Sequence, residues 1–364
     1  MENMVKMKSS LFDAYFGKKV FLTGHTGFKG AWLLGILNQL GAIVKGYANP
    51  PETPNDLYNL IEGNKLCDSV IADLRDYNRL EKEMESFQPD YVFHLAAQAL
   101  VRESYKNPRE TYEVNVIGTL NLLEALKKVD QKCNVVMITT DKVYFNHEWS
   151  FAYRENDQLG GQDPYSSSKA CSEFVIQSYQ HAFFPVNKFN NHQKAISVAR
   201  AGNIIGGGDW SNDRLIPDLI RAVYTDTPIK VRSPKAVRPW QYVLDPLNGY
   251  LKLGQALNND PISFSTPFNF GPKIHDCISV ESVINQCISY WKKATVEIVD
   301  KDRDFKESHF LTLDTAKVER ELKWTPKLTL SQGLQKTIDW YAAFQGNPTQ
   351  IKKFTIEQIN KFLA

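Results

Sequence analysis

An α/β architecture is predicted for this 364-residue sequence, a doubly wound parallel sheet with a smaller C-terminal lobe. Three observations carry that expectation. Short apolar runs alternate with helical stretches up to about residue 200, the rhythm of a parallel sheet covered on both faces. The first run opens into three evenly spaced glycines, Gly24, Gly27 and Gly30, ahead of a helix. Beyond about residue 205 the texture changes to Gly206-Gly207-Gly208-Asp209-Trp210, several prolines and scattered arginines.

The first strand is expected at 20–22, Val-Phe-Leu, short and apolar as buried parallel strands are. Its helix runs from 31 to 40 and stops at Gly41. Strand, glycine turn and helix can build an anion site. A turn without side chains lets the backbone approach a pyrophosphate, and the helix N-terminus adds free N–H groups and a positive dipole. The spacing differs from the G-x-G-x-x-G fingerprint, so the turn alone leaves a ligand-free reading open.

Residues 41–47 read as a second strand, closed by the proline-rich loop 49–54, which can continue neither strand nor helix. A third strand falls at 69–73, a polar-faced helix at 78–87 and a fourth strand at 90–97. A long helical stretch lies near 110–129, a fifth strand at 134–140, a helix at 164–181 and a sixth strand at 195–200. The tail beyond Pro348 has apolar residues at 351, 354, 359, 362 and 363, one amphipathic helix expected to dock on its own chain. Ligands of such sheets sit beyond the carboxyl ends of the strands. The chemistry-bearing motifs fall at those ends.

Composition narrows the class. Hydrophobic content of 43% and charged content of 23% are ordinary for a globular protein, and the net charge of +2 gives no electrostatic case for nucleic acid or a membrane surface. No apolar run approaches the ~20 residues of a membrane span, and the first ten residues lack the apolar segment of a secretory signal. The five cysteines include no C-x-x-C pair, so neither a disulfide framework nor a metal site is indicated. A cytoplasmic location is the expectation.

The fifth strand ends in Thr139-Thr140-Asp141-Lys142-Val143-Tyr144, and Asp163-Pro164-Tyr165-Ser166-Ser167-Ser168-Lys169 follows. Asp163 can cap the next helix and Pro164 suits its first turn. Tyr165 and Lys169 then share one helix face. A phenol has an ordinary pKa near 10, and an adjacent ammonium would favour the phenolate. Such a pair can take a proton from a sugar hydroxyl while hydride leaves the same carbon.

Together these motifs resemble the extended short-chain dehydrogenase/reductase superfamily, with its Rossmann-like sheet. The resemblance implies a cofactor held by Gly24, His25, Thr26, Gly27, Phe28, Lys29 and Gly30, by Asp73 and Leu74, and by Leu95, Ala96 and Ala97. It implies a triad of Thr140, Tyr165 and Lys169, with Lys169 both binding the cofactor ribose and tuning Tyr165. A narrower resemblance rests on Gly-His-Thr-Gly-Phe-Lys-Gly at 24–30, Thr-Asp-Lys-Val-Tyr at 140–144, the segment 200–210 and Arg-Pro-Trp-Gln at 238–241. These segments are similar to those of the CDP-glucose 4,6-dehydratases. That family implies oxidation at C4 of CDP-glucose, loss of water across C5–C6 and hydride return to C6, the entry to deoxysugars of surface polysaccharides such as O-antigen.

Under that resemblance Asp141 is expected as the acid for the departing hydroxyl and Lys142 as the C5 base, its pKa lowered by burial or by Lys169. Asn203, Arg214, Arg232, Arg238, Glu307 and His309 are the implied nucleotide-sugar contacts. The implied division is 15–204 with 241–275 for the dinucleotide, and 205–240 with 276–364 for the nucleotide sugar. NAD is the implied cofactor. No acid closes the second strand after Tyr47 to meet a ribose 2′-hydroxyl, and Lys29 and Lys45 leave NADP open. His25 and Lys29 are candidate cations in the phosphate turn, His94 a core histidine and Asn115 a backbone brace. A homodimer or homotetramer, packed through helices near 105–128 and 165–182, is implied. The alternative on the same fold is a nucleotide-sugar epimerase or reductase, which would use Thr140, Tyr165 and Lys169 without needing the 141–142 pair.

Overall fold

Seven strands, every neighbouring pair parallel, form the central sheet. They are β1 (Lys19–Thr23), β2 (Ile43–Ala48), β3 (Asp68–Ile71), β4 (Tyr91–His94), β5 (Cys133–Ile138), β6 (Lys194–Ala201) and a last strand, Phe268–Phe270. The last strand lies on one edge and β3 on the other, with β6, β5, β4, β1 and β2 in that order between them. The computed structural model describes residues 11–290, 295–299 and 309–364. Strand order reverses between β1 and β4, so the crevice at their carboxyl ends is the switch point where such sheets take ligands.

Alternation along β1 shows how the two faces are filled. Val20 and Leu22 join one buried cluster, with Trp32, Leu33 and Leu37. Phe21 between them joins the other, with Met84, Val92, Leu122 and Ile176. Helices α1 (Leu11–Tyr15), α2 (Phe28–Gln39), α3 (Leu57–Leu60) and α4 (Tyr77–Phe87) punctuate the first half. Then come α5 (Val101–Lys106), α6 (Pro108–Tyr112), α7 (Gly118–Leu126) and the long α8 (Pro164–Ala182).

The expected helix near 110–129 is built in pieces, α6 and α7 joined by a π turn at Glu113–Ile117. Asn115 lies in that turn. Its amide accepts from Gln98 N at 2.8 Å and donates to Gln98 O at 3.0 Å, which pins the chain leaving β4. The fourth strand itself stops at His94 rather than 97, because the chain turns out of the ladder toward the glycine turn.

The two parts of the chain share one core. The Trp32 indole donates to Gly207 O at 3.0 Å, and Ile205, Ile220, Trp240 and Trp340 belong to the same cluster as α2. The tail forms the helix Ile351–Leu363, docked on α2 with Ile359 filling the space over Gly35. Among the described residues no helix is long and apolar enough to cross a membrane.

Candidate functional site

The glycine turn is built by close approach. Gly24 has φ +74°, and a Cβ there would stand 2.7 Å from Ala96 N. A Cβ on Gly30 would stand 1.9 Å from Gly24 O, so the first turn of α2 packs directly on the loop. Gly27 is the N-cap of α2, with no side chain satisfying the first N–H groups. A Cβ on Gly27 would meet only Gly24 O, at 3.5 Å. Those unpaired donors beside open space fit the pyrophosphate of a dinucleotide.

Around the turn, Thr26 Oγ1 donates to Asn49 O at 2.8 Å, and Leu74 packs against Gly118. Leu95, Ala96 and Ala97 are half-buried, with Ala96 N donating to Thr23 Oγ1 at 3.2 Å. Asp73 lies beyond β3, its carboxylate held by Arg75 at 2.6 Å and below the usual carboxylate range because of that hydrogen bond.

His25 does not serve as a cation. Its ring is fully buried over Gly46, hydrogen-bonded to Ser69 at 2.7 Å, and burial brings its pKa down to about 4. His94 is a core histidine lodged between Thr23 (2.8 Å) and Thr119 (3.3 Å), lowered by burial to about 3. Lys45 is committed to Glu83 and Asp68, 2.7 and 3.1 Å away. Lys29 faces the other end of the crevice, where burial first, then Arg214 and Lys169, lower it to about 7. The two lysines that left NADP open therefore stand away from the β2 end or are neutralised by carboxylates.

At the end of β5 the chain enters a short 3₁₀ turn, Asp141–Val143, capped by Thr140. Thr140 Oγ1 donates to Asp141 Oδ1 at 2.9 Å, and the Lys142 ammonium meets the same oxygen at 3.0 Å. Asp141 is fully buried, and its second oxygen has no hydrogen-bond partner. Lys142 also approaches Asn203 Oδ1 at 3.5 Å. Helix α8 starts on a capping box of Asp163 and Ser166 with Pro164 in its first turn, which brings the Tyr165 hydroxyl to Thr140.

Tyr165 and Lys169 are four apart on α8, and both are buried. Burial raises Tyr165 to about 12, against lowering by Thr140 and Arg214. Lys169 donates to Ile138 O at 3.2 Å, and its burial lowers it to about 8. Arg214, from the later part of the chain, is a cation that favours the phenolate. The charge partner of Lys142 is Asp141.

A cleft of about 640 Å³ opens from this cluster between the sheet end and the later part of the chain. Asn203, Arg214, Arg232, Arg238 and His309 all line it together with Thr140, Lys142 and Tyr165. Arg214 donates to Asp209 at 2.9 Å and Arg238 to Val237 O at 2.9 Å. His309 is anchored through its backbone N–H, which meets the Glu148 carboxylate at 2.9 Å. Glu307 lies outside the described residues.

Residues 21–337 match the family model described as GDP-mannose 4,6 dehydratase. The chain belongs to that family. A CDP-glucose 4,6-dehydratase of Salmonella typhimurium is 43% identical, over 90% of this chain and 91% of its own length. A dTDP-glucose 4,6-dehydratase of Haemophilus influenzae is 27% identical over 88% of this chain and 97% of its own. The fold is shared with the dTDP-glucose 4,6-dehydratase DesIV of Streptomyces venezuelae, solved with NAD and TYD bound. That likeness has a TM-score of 0.76 at 22% identity, over 90% of this chain and 98% of the other.

Within this family fold, residues that sequence reasoning passed over also reach the cleft. Arg102 on α5 lines it, as do Asp209, Asp213 and Glu148. Asp213 stands beside Arg214 in the sequence and Asp209 five positions before it, and an acid close to a candidate phosphate-binding arginine was the available signal. Arg102 carried none, because its position depends on how α5 leaves β4.

Proposed function

We propose that this protein is a CDP-glucose 4,6-dehydratase that converts CDP-D-glucose to CDP-4-keto-6-deoxy-D-glucose and water, with NAD as resident cofactor. The observation that carries the reading is the Asp141–Lys142 pair, set 3.0 Å apart on the turn that also presents Thr140 beside Tyr165. An elimination needs an acid and a base next to the hydroxyl-oxidising group, and a simple epimerisation needs neither. The 43% identity to the Salmonella enzyme supports the choice of substrate.

When bound, NAD would supply the hydride acceptor for C4 and the hydride donor for C6. Gly24, Gly27 and Gly30 would form its pyrophosphate cradle, with Leu74, Leu95 and Ala96 as apolar wall and Asp73 toward the adenosine. Thr140 holds the 4-hydroxyl and Tyr165, acting as its phenolate, takes its proton. Lys142 then takes the C5 proton, made acidic by the 4-ketone, as Asp141 gives a proton to the departing 6-hydroxyl. Moving one proton from Lys142 to Asp141 across their contact creates the required neutral base and neutral acid without changing net charge. Protonation of C5 by Lys142 and of the 4-oxygen by none leaves the 4-keto product, with one water lost.

In this reading residues 205–240 and 276–364 bind the nucleotide sugar, with Asn203, Arg214, Arg232, Arg238, Glu307 and His309 as contacts. Residues 15–204 and 241–275 hold the cofactor. Exposed Ile117 and Phe174 on the helices near 105–128 and 165–182 support a homodimer or homotetramer, and five free cysteines fit a cytoplasmic enzyme. Incubation with CDP-, dTDP-, UDP- and GDP-linked glucoses tests the assignment. A 4-keto product from the CDP sugar, with no net cofactor reduction, is expected; no turnover of CDP-glucose overturns the substrate assignment.

A further inference from the structure

The cleft wall carries an acid placed where a phosphate would be expected. Asp213 Oδ1 stands 3.0 Å from Arg232 Nη1 and 3.6 Å from Arg102 Nε. The two arginines come from opposite walls, Arg102 from α5 after β4 and Arg232 from just beyond the strand Ile229–Val231. Their side chains are 18% and 29% exposed, while that of Asp213 is 35% exposed on a loop, so the acid is the freest of the three. Asp213 has φ +60°, a left-handed conformation that Asp adopts more readily than most residues, here with its carboxylate between two guanidinium groups.

One carboxylate shared by two guanidinium groups supplies the single negative charge and paired acceptor oxygens of one phosphate of a diphosphate ester. A nucleotide diphosphate brings two such groups and can engage each arginine bidentately. We propose that Asp213 is a resident counter-ion of the diphosphate subsite, displaced by the substrate, and that Arg102 is a diphosphate-binding residue supplied from the cofactor side. This rests on the reading of the cleft as a nucleotide-sugar site. Until substrate arrives, the carboxylate holds both guanidinium groups in position and limits their mutual repulsion. A monophosphate, with fewer charges and oxygens, replaces it poorly, so the device selects diphosphates.

The test is calorimetric titration of the NAD-loaded protein with CDP and with CMP, in wild type, Asp213→Asn, Arg102→Met and Arg232→Met. Removing the competing charge is expected to tighten CDP binding about fivefold, to steepen its salt dependence and to narrow the preference over CMP. Arg102→Met is expected to weaken CDP binding about tenfold or more. Equal or weaker CDP binding by Asp213→Asn overturns the counter-ion role, and unchanged binding by Arg102→Met overturns its phosphate contact. If Arg102→Met does not fold, Arg102→Lys takes its place, keeping the charge and losing the bidentate contact, with weaker CDP binding expected and unchanged binding overturning the assignment. CDP binding is read without turnover. Failure to process CDP-glucose would count against the proposed function and leave this result standing.

Discussion

The Lys142 ammonium lies 3.0 Å from Asp141 Oδ1, while Asp141 Oδ2 is buried without a partner. A buried carboxylate oxygen left unpaired is costly by roughly 1–3 kcal/mol. A proton on that oxygen, or a substrate hydroxyl against it, would remove the penalty. Lys142→Ala is therefore expected to lower kcat by about 10²–10⁴ and to stop incorporation of solvent deuterium at C5 of the product. Mass spectrometry of product formed in heavy water reads this directly. C5 labelling at the wild-type rate in Lys142→Ala would assign the base elsewhere.

The glycine turn separates fold from binding. Gly30→Ala forces a Cβ to within 1.9 Å of Gly24 O and is expected to destabilise the protein by several kcal/mol, of the order of ~3 or more. Gly27→Ala meets no atom closer than 3.5 Å, so its thermal midpoint without cofactor should stay within a few degrees of wild type. Its Cβ nevertheless enters the space that a pyrophosphate would use. Retention of co-purified NAD, read by absorbance, should fall sharply in Gly27→Ala; wild-type retention would displace the cradle from this turn.

Glu173 and Arg200 form a buried pair one helical turn below Lys169. Arg200 Nε donates to Glu173 at 2.9 Å, Thr139 Oγ1 donates to the same carboxylate at 2.7 Å, and both charged side chains are at most 1% exposed. Removing one partner strands the other in the core. Glu173→Leu should cost about 3–5 kcal/mol in urea unfolding, and adding Arg200→Met should recover part of that loss. A single substitution costing under about 1 kcal/mol would show the pair to be dispensable.

The fold is most legible in the sequence where one residue type answers to one geometry. Gly24 and Gly30 were marked by spacing, and their close contacts explain why no side chain can stand there. Asp163 and Pro164 announced the start of α8 through capping chemistry alone. Tyr165 and Lys169 were placed on one face by helix period, but their electrostatics were not legible. The Lys169 ammonium donates to a strand carbonyl, and Arg214, forty-nine positions from Tyr165 in the chain, adds a charge that favours the phenolate. His25 misled for a similar reason: only the fold reveals that its ring is packed over Gly46. Short elements were the other loss. The last sheet strand, Phe268–Phe270, is three residues long and has no pattern to detect.

Two buried histidines set the acid limb of stability. Burial lowers His25 to about 4 and His94 to about 3, below the ordinary value near 6.5. Between those values the unfolded chain binds protons that the folded one refuses, so stability is lost as pH falls below about 6.5. Each histidine should contribute a loss of about 2 kcal/mol between pH 6.5 and 5. Urea midpoints of His94→Asn should fall less steeply over that interval than wild type. An identical slope would remove His94 from the titration.

The central claim is an internal oxidation, elimination and reduction at one sugar, carried by Tyr165, Asp141 and Lys142. CDP-glucose deuterated at C4 tests it most directly, with the product examined by NMR. The C4 deuterium is expected at C6 of a 4-keto-6-deoxy sugar, with one solvent hydrogen at C5. Deuterium retained at C4 of an intact hexose would contradict it and identify the epimerase-type reaction instead.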